Sequence, residues 1–295
     1  MLEYLAANPT LFIGIVFFLS LLVGSFLNVV IYRLPIMLER DWKSQCSELL
    51  ERDPETSEPE RFNLFFPASH CPSCNNPVRA WQNIPLISYI VLGGKCSVCG
   101  TAIGLRYPLV ELSTAVLSAA VAFQFGFGIT TYAALVLTWA LIVLTVIDLD
   151  RQLLPDNITL PLMWLGLLLS LVDMRSGLPL FADTSSSLIG AVTGYLGLWF
   201  VFQLFKLLTG KEGMGYGDFK LAAALGAWLG WQMLPLIVVL SAFVGAVVGI
   251  LMIVSGRQGR DKPLPFGPFL AGAAWIALLW GDAIVAHYFR LTGMA

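Results

Sequence analysis

Charge is what this sequence has least of. Asp, Glu, Lys and Arg together make up 12% of its 295 residues, where a soluble domain carries roughly a quarter. With 57% hydrophobic residues and a mean hydropathy of +0.78, the composition excludes an ordinary soluble domain and assigns the chain to lipid. A net charge of −2 and a pI near 5.7 give no global attraction to nucleic acid. No nucleic-acid partner is therefore expected, and any electrostatic chemistry must be local. The first apolar run lacks a basic leader region, Glu3 being its only early charge, and reaches Tyr32-Arg33-Leu34-Pro35 without a small-residue cleavage site. It is expected to be a retained membrane span.

A helical span needs about 20 apolar residues. Eight windows qualify, at roughly 10–32, 108–126, 130–147, 157–173, 185–208, 219–233, 235–254 and 267–288. The expected fold is all-α and polytopic, divided into a first transmembrane helix (1–32), a cytoplasmic insert (33–107) and a membrane core of seven helices (108–295). Basic residues are retained in the cytoplasm during insertion. If 33–107 is cytoplasmic, all but two of the 17 basic residues fall on that side, Arg175 and Arg290 being the exceptions. The asymmetry predicts a multi-pass membrane protein, in contact with lipids, with both termini on the outer side.

The insert has two unlike parts. Residues 39–62 carry charges of both signs with Pro54 and Pro59, the pattern of a solvated helix and a flexible link. Residues 68–104 hold Cys71-Pro-Ser-Cys74 and Cys96-Ser-Val-Cys99, two C-x2-C knuckles separated by 21 residues. That spacing suits a four-thiolate zinc site; disulfides or a redox pair suit it less, because cytosolic thiols are kept reduced and no thioredoxin-like pattern surrounds them. A shell of Cys71, Cys74, Cys96 and Cys99 leaves no open position for water, so the zinc is expected to be structural, holding a small zinc-ribbon-like domain together. Cys46 stands apart and is read as an incidental thiol.

Ionisable groups at spans are costly, about 2.5–3.5 kcal/mol at a helix centre, so each asks for a reason. Asp148 follows directly on the apolar run Leu141–Ile147 and falls in the last turn of the third span, where a negative charge opposes the helix macrodipole. Asp150 points roughly 200° away around the helix and precedes Arg151, which suits a solvated ion pair. Asp156, after Pro155, reads as a cap or turn residue opening the fourth span. Asp218 closes the loop from Gly210 to Gly217, which has four glycines in eight residues, and opens the sixth span. An N-cap is its bland explanation. Parity, however, puts Asp148 and Asp218 on one face, at the ends of different spans. Two carboxyls that meet share a proton, giving one base and one acid: the aspartic-protease arrangement. Glu111, at the second span, is read either as an organiser of the active site or insert, or as a buried carboxylate satisfied by neighbours.

Over nearly its whole length the chain resembles the type IV prepilin peptidases, the bacterial branch of the GxGD intramembrane aspartic proteases. The matching segments are Gly24-Ser-Phe-Leu-Asn28-Val-Val-Ile-Tyr-Arg33-Leu-Pro35, the double C-x2-C, Arg106-Tyr-Pro-Leu-Val-Glu111, Ile147-Asp148-Leu-Asp150 with Leu154-Pro-Asp156, Gly213-Met-Gly-Tyr-Gly-Asp218-Phe-Lys220 and Pro265-Phe-Gly-Pro268. The resemblance implies that Asp148 and Asp218 are catalytic. It implies as substrates the prepilins and pseudopilins of type IV pili and type II secretion, cut at the cytoplasmic face after a Gly and before a Phe that opens an apolar helix. Members with the large insert also methylate the new N-terminus with S-adenosylmethionine. No strand-turn-helix glycine fingerprint of an adenosylmethionine fold occurs in the sequence, so methylation is implied by resemblance alone. The alternative from another class is a membrane metal or proton transporter. Against it stand the clustering of the carboxylates at one face and the lack of a midplane charge relay or inverted repeats.

Overall fold

The computed structural model describes residues 2–50, 62–172, 179–256 and 264–293. The expected link around Pro54 and Pro59, Arg175 and the basic run at 257–262 lie outside the described residues. Ten α-helices follow in order: α1 (Leu2–Ala7), α2 (Pro9–Leu49), α3 (Ile87–Val91), α4 (Arg106–Phe125), α5 (Ile129–Arg151), α6 (Asp156–Leu169), α7 (Thr184–Thr209), α8 (Tyr216–Leu229), α9 (Leu234–Val254) and α10 (Gly267–Thr292). Among the described residues there is no strand beyond two isolated bridges in the insert. Each of the eight expected windows is a helix, and six of these are long and apolar enough to cross a membrane. The other two, α6 and α8, have 14 residues each. At 1.5 Å per residue they reach about 21 Å, short of the ~30 Å hydrocarbon layer.

The first span and the charged stretch after it prove to be one helix. α2 runs through Pro35 to Leu49, 41 residues or about 61 Å. Proline removes one backbone hydrogen bond but not the helix; beyond it the sequence stays free of glycine, and Glu39 and Lys43 form an i,i+4 pair at 3.0 Å.

The chain forms two compact units, 1–131 and 132–295. In the first, α2 packs along α4. Gly24 makes this close approach possible: a Cβ there would lie 2.8 Å from the Glu111 Cα. The Asn28 amide donates to the Tyr107 carbonyl at 3.1 Å, satisfying a buried polar side chain where no water competes.

The second unit is built around α8. From Asp218 to Leu229 every residue except Lys220 is buried, as expected of a helix apolar all round. α6, α7, α9 and α10 all touch it. Glycines let α7 and α8 meet backbone to backbone: a Cβ on Gly190 would collide with the Gly226 carbonyl, and one on Gly226 with that of Gly190. Across the same contact the Ser187 hydroxyl donates to the Ala227 carbonyl at 2.5 Å. Trp228 fills the α6 side, its indole N–H donating to the Leu162 carbonyl at 2.7 Å.

Candidate active site

Within the second unit the structure brings Asp148 and Asp218 together. Asp148 sits in the last turn of α5 and is 5% exposed; Asp218 is in the first turn of α8 and is 6% exposed. The two carboxyls are near enough for Asp148 to act on Asp218 electrostatically. Each is held by one backbone donor from a distant or looped segment. The Gly267 N–H, at the start of α10, donates to Asp148 Oδ2 at 3.0 Å. The Gly215 N–H donates to Asp218 Oδ2 at 3.2 Å. Asp218 Oδ1 is buried without a hydrogen-bond partner, an acceptor left open in a place where an unmet polar atom is costly.

Glycine is required around this pair. A Cβ on Gly267 would lie 2.6 Å from Asp148 Oδ2 and 3.1 Å from Leu154 Cδ2; one on Gly217 would lie 2.7 Å from Leu154 Cβ. Leu154, in the turn after α5, is thus wedged between the segments that present the two aspartates. Gly215 is the N-cap of α8, so Asp218 is its third residue, and the helix begins ahead of the expected position at 218. Its carboxylate reaches back to the cap residue's own N–H, half of a capping box.

The other acidic candidates separate from this pair. Asp150 is exposed. Asp156 is not the cap of α6, which is Pro155. Instead its carboxylate takes both hydrogen bonds from Lys220 Nζ, at 2.6 and 2.8 Å. The pair ties α6 to α8 at a partly exposed edge, where such contacts contribute about 1 kcal/mol or less. Spacing alone gives Lys220 and Gly267 no role; the signal for both is that they fall in segments that carry the family resemblance, 213–220 and 265–268.

In the first unit, a hydrogen bond joins Glu111 on α4 to the insert. The Glu111 Oε2 accepts the Leu86 N–H at 3.0 Å. Leu86 has φ +58° and ψ −47°, the centre of a tight turn closed by Ile87 N–H donating to the Pro85 carbonyl at 2.5 Å. A leucine held there costs on the order of 1–3 kcal/mol, which the carboxylate contact helps to offset. Arg33, buried in α2, donates to the carbonyls of Asn63 at 2.9 Å and Pro67 at 2.6 Å.

The four expected ligand cysteines come together in the same insert. Their Sγ atoms all lie within 4.8 Å of one another, with Cys71–Cys99 at 3.7 Å and Cys74–Cys96 at 4.0 Å. A tetrahedral ion with metal–sulfur bonds of about 2.3 Å spaces its sulfurs by about 3.8 Å, so the cluster can hold such an ion. The two knuckles repeat one design. Cys71 N–H donates to Asn76 and Asn75 N–H to Cys71; Cys96 N–H donates to Thr101 and Gly100 N–H to Cys96, all at 2.8–3.0 Å. Asn75 (φ +58°) and Gly100 (φ +70°) close the turns at matching positions. The Thr101 hydroxyl, and then its backbone N–H, hold the Cys99 thiol down to about 6, while Cys74, despite the Asn76 N–H, is pushed up to about 11 by burial and the neighbouring sulfurs.

Residues 18–125 match the bacterial peptidase A24 N-terminal domain, and residues 135–250 match the type IV leader peptidase family. A prepilin leader peptidase/N-methyltransferase of Pseudomonas aeruginosa is 54% identical over 293 residues, 99% of either chain. Proteins of the same name from Stutzerimonas stutzeri and Aeromonas salmonicida are 55% and 54% identical, covering 98% of this chain and 97% of each relative. No solved structure matches. The transporter alternative finds no support among these relatives. An all-helical membrane protein with two buried aspartates on adjoining helix ends, matched over almost its full length, belongs to the type IV leader peptidase family.

Proposed function

We propose that this protein is an aspartic endopeptidase of the bacterial inner membrane that removes the leader from type IV prepilins and pseudopilins at the cytoplasmic face, and that it then N-methylates the new N-terminus. Membership of the family and the names of its relatives support the reaction; the paired burial of Asp148 and Asp218 carries the assignment of residues. One carboxylate takes a proton from water as the water oxygen attacks the scissile carbonyl carbon, while the other carboxyl donates a proton to the carbonyl oxygen. When the C–N bond breaks, a proton passes to the leaving amine and the pair returns to its starting state. The shared proton belongs to the pair, so neither residue is assigned as the acid. Gly267 and Gly215 fix the carboxyls by their N–H groups and leave Asp218 Oδ1 open for water or substrate. The cut falls after the leader's last Gly and before a Phe.

Zinc is the metal that four thiolates at this spacing select, held by Cys71, Cys74, Cys96 and Cys99 in a structural role. S-adenosylmethionine supplies the methyl group when bound. The described residues of the insert form no parallel-strand glycine cradle, and no residue is assigned to that donor. The distribution of basic residues supports a cytoplasmic insert and active site, with periplasmic termini.

The test is incubation of purified protein with a prepilin and mass spectrometry of the product. A chain shortened by its leader, and one methyl heavier when S-adenosylmethionine is added, is expected. Intact prepilin, with proton or metal flux in liposomes, would replace this reading by a carrier.

A further inference from the structure

Beside the aspartate pair, and wholly within the second unit, a cleft of about 310 Å³ opens between α9, the loop ahead of α8 and the segment entering α10. We propose that this cleft is the subsite for the residue just C-terminal to the cut, taking one large aliphatic or aromatic side chain of the substrate. The inference rests on the peptidase reading above and adds to it the determinant of specificity.

Continuity with the aspartates is the first argument. Met214, on one wall, directly precedes Gly215, whose N–H holds Asp218. Phe266, on the other, directly precedes Gly267, whose N–H holds Asp148. Asp218 Oδ1, buried and unpartnered, supplies the open acceptor that a peptide or its attacking water would meet.

The lining is the second argument. Among the described residues it contains no charged one, and its walls are Met214, Leu264, Pro265, Phe266 and Phe269. Methionine adapts to irregular apolar shapes, and phenylalanine edges and faces favour aromatic partners. An apolar residue opening a membrane helix would be accepted there. The volume lies at the low end of the range for ligand pockets, room for one side chain rather than several. The floor is kept low by Ala242, Gly245 and Ala246 on α9; a Cβ on Gly245 would come 3.3 Å from Phe269 Cδ2. Gly245 lies nine residues from Val254, about 13 Å along the helix, so the cleft runs into the thickness of the span, where an apolar segment of the substrate would already lie.

The substitutions Ala246→Leu and Ala242→Leu fill the floor, with Val239→Leu, on an exposed part of α9, as control. Two prepilins are compared, carrying Phe or Ala after the cut. Wild type and Val239→Leu are expected to favour Phe by about tenfold or more in kcat/KM, and either filled variant to lose most of that preference while still cleaving the Ala prepilin. Retained cleavage of the Ala substrate reports an intact fold and catalytic pair. Unchanged preference in both filled variants would overturn the subsite. A prepilin with a photoreactive phenylalanine analogue after the cut, used with the unaltered enzyme, should label the peptide containing Met214 or that containing Phe266 and Phe269. Labelling elsewhere would also overturn it. Failure of wild type to cleave any prepilin would instead remove the peptidase reading.

Discussion

Replacing Gly267 with alanine is the smallest change that tests how the aspartate pair is held. The added methyl would lie 2.6 Å from Asp148 Oδ2 and 3.1 Å from Leu154 Cδ2, both inside van der Waals contact. Something must move, and Leu154 is already wedged against Gly217. The carboxylate is therefore expected to swing off the Gly267 N–H, giving up a hydrogen bond that contributes about 1.5–3 kcal/mol when its acceptor is charged. Displacement of a reacting group by about 1 Å costs on the order of 100-fold in rate. Gly267→Ala should thus lower kcat/KM for prepilin cleavage by about that factor, with a stability loss of about 1–3 kcal/mol from overpacking. Gly272→Ala, five residues on in α10 with open space around the new methyl, is the control and should keep activity while gaining about 0.5–1 kcal/mol. Gel-shift kinetics and thermal melts in the same detergent separate the two effects. Wild-type kinetics in Gly267→Ala would refute the argument that this contact positions Asp148.

Three further outcomes follow from the packing. Gly226→Ala drives a methyl into the Gly190 carbonyl, backbone against backbone, and should destabilise the second unit by about 3 kcal/mol, read as a lower melting temperature. Arg33→Ala removes the donors to Asn63 and Pro67, at about 1.5–3 kcal/mol per bond, and should speed amide hydrogen exchange and proteolysis around residues 63–67 before the membrane helices respond. Purified protein should contain one equivalent of zinc per chain, lost in Cys71→Ser; less than half an equivalent with intact thiols would count against the zinc site.

The helices were legible because the signal is coarse: about 20 consecutive apolar residues are hard to mistake, and all eight windows became helices. Their ends were less so. α2 passes through Arg33 and Pro35 because local propensity there outlasts the apolar run, and α8 begins before Asp218 because Gly215 takes the cap. Parity confined Asp148 and Asp218 to one membrane face, but it confined Asp150 and Asp156 there as well, so helix-end position and the family resemblance had to choose among them. What spacing cannot carry is contact across long separations: the Gly267 donor to Asp148 lies 119 residues away, and Lys220 meets Asp156 across 64. Asp156 looked like a cap because an acidic residue after proline at a span's start commonly is one, and sequence does not record a lysine on another helix. The cysteines read correctly as a cluster because each knuckle is closed by local hydrogen bonds within a few residues.

The central claim is that Asp148 and Asp218 work as one acid–base pair, and the direct measurement is prepilin cleavage by purified Asp148→Asn, Asp218→Asn and Asp150→Asn proteins, each checked for a native melting transition. Loss of cleavage in the first two, with activity kept in Asp150→Asn, is predicted. Cleavage by Asp148→Asn alongside its loss in Asp150→Asn would contradict the account.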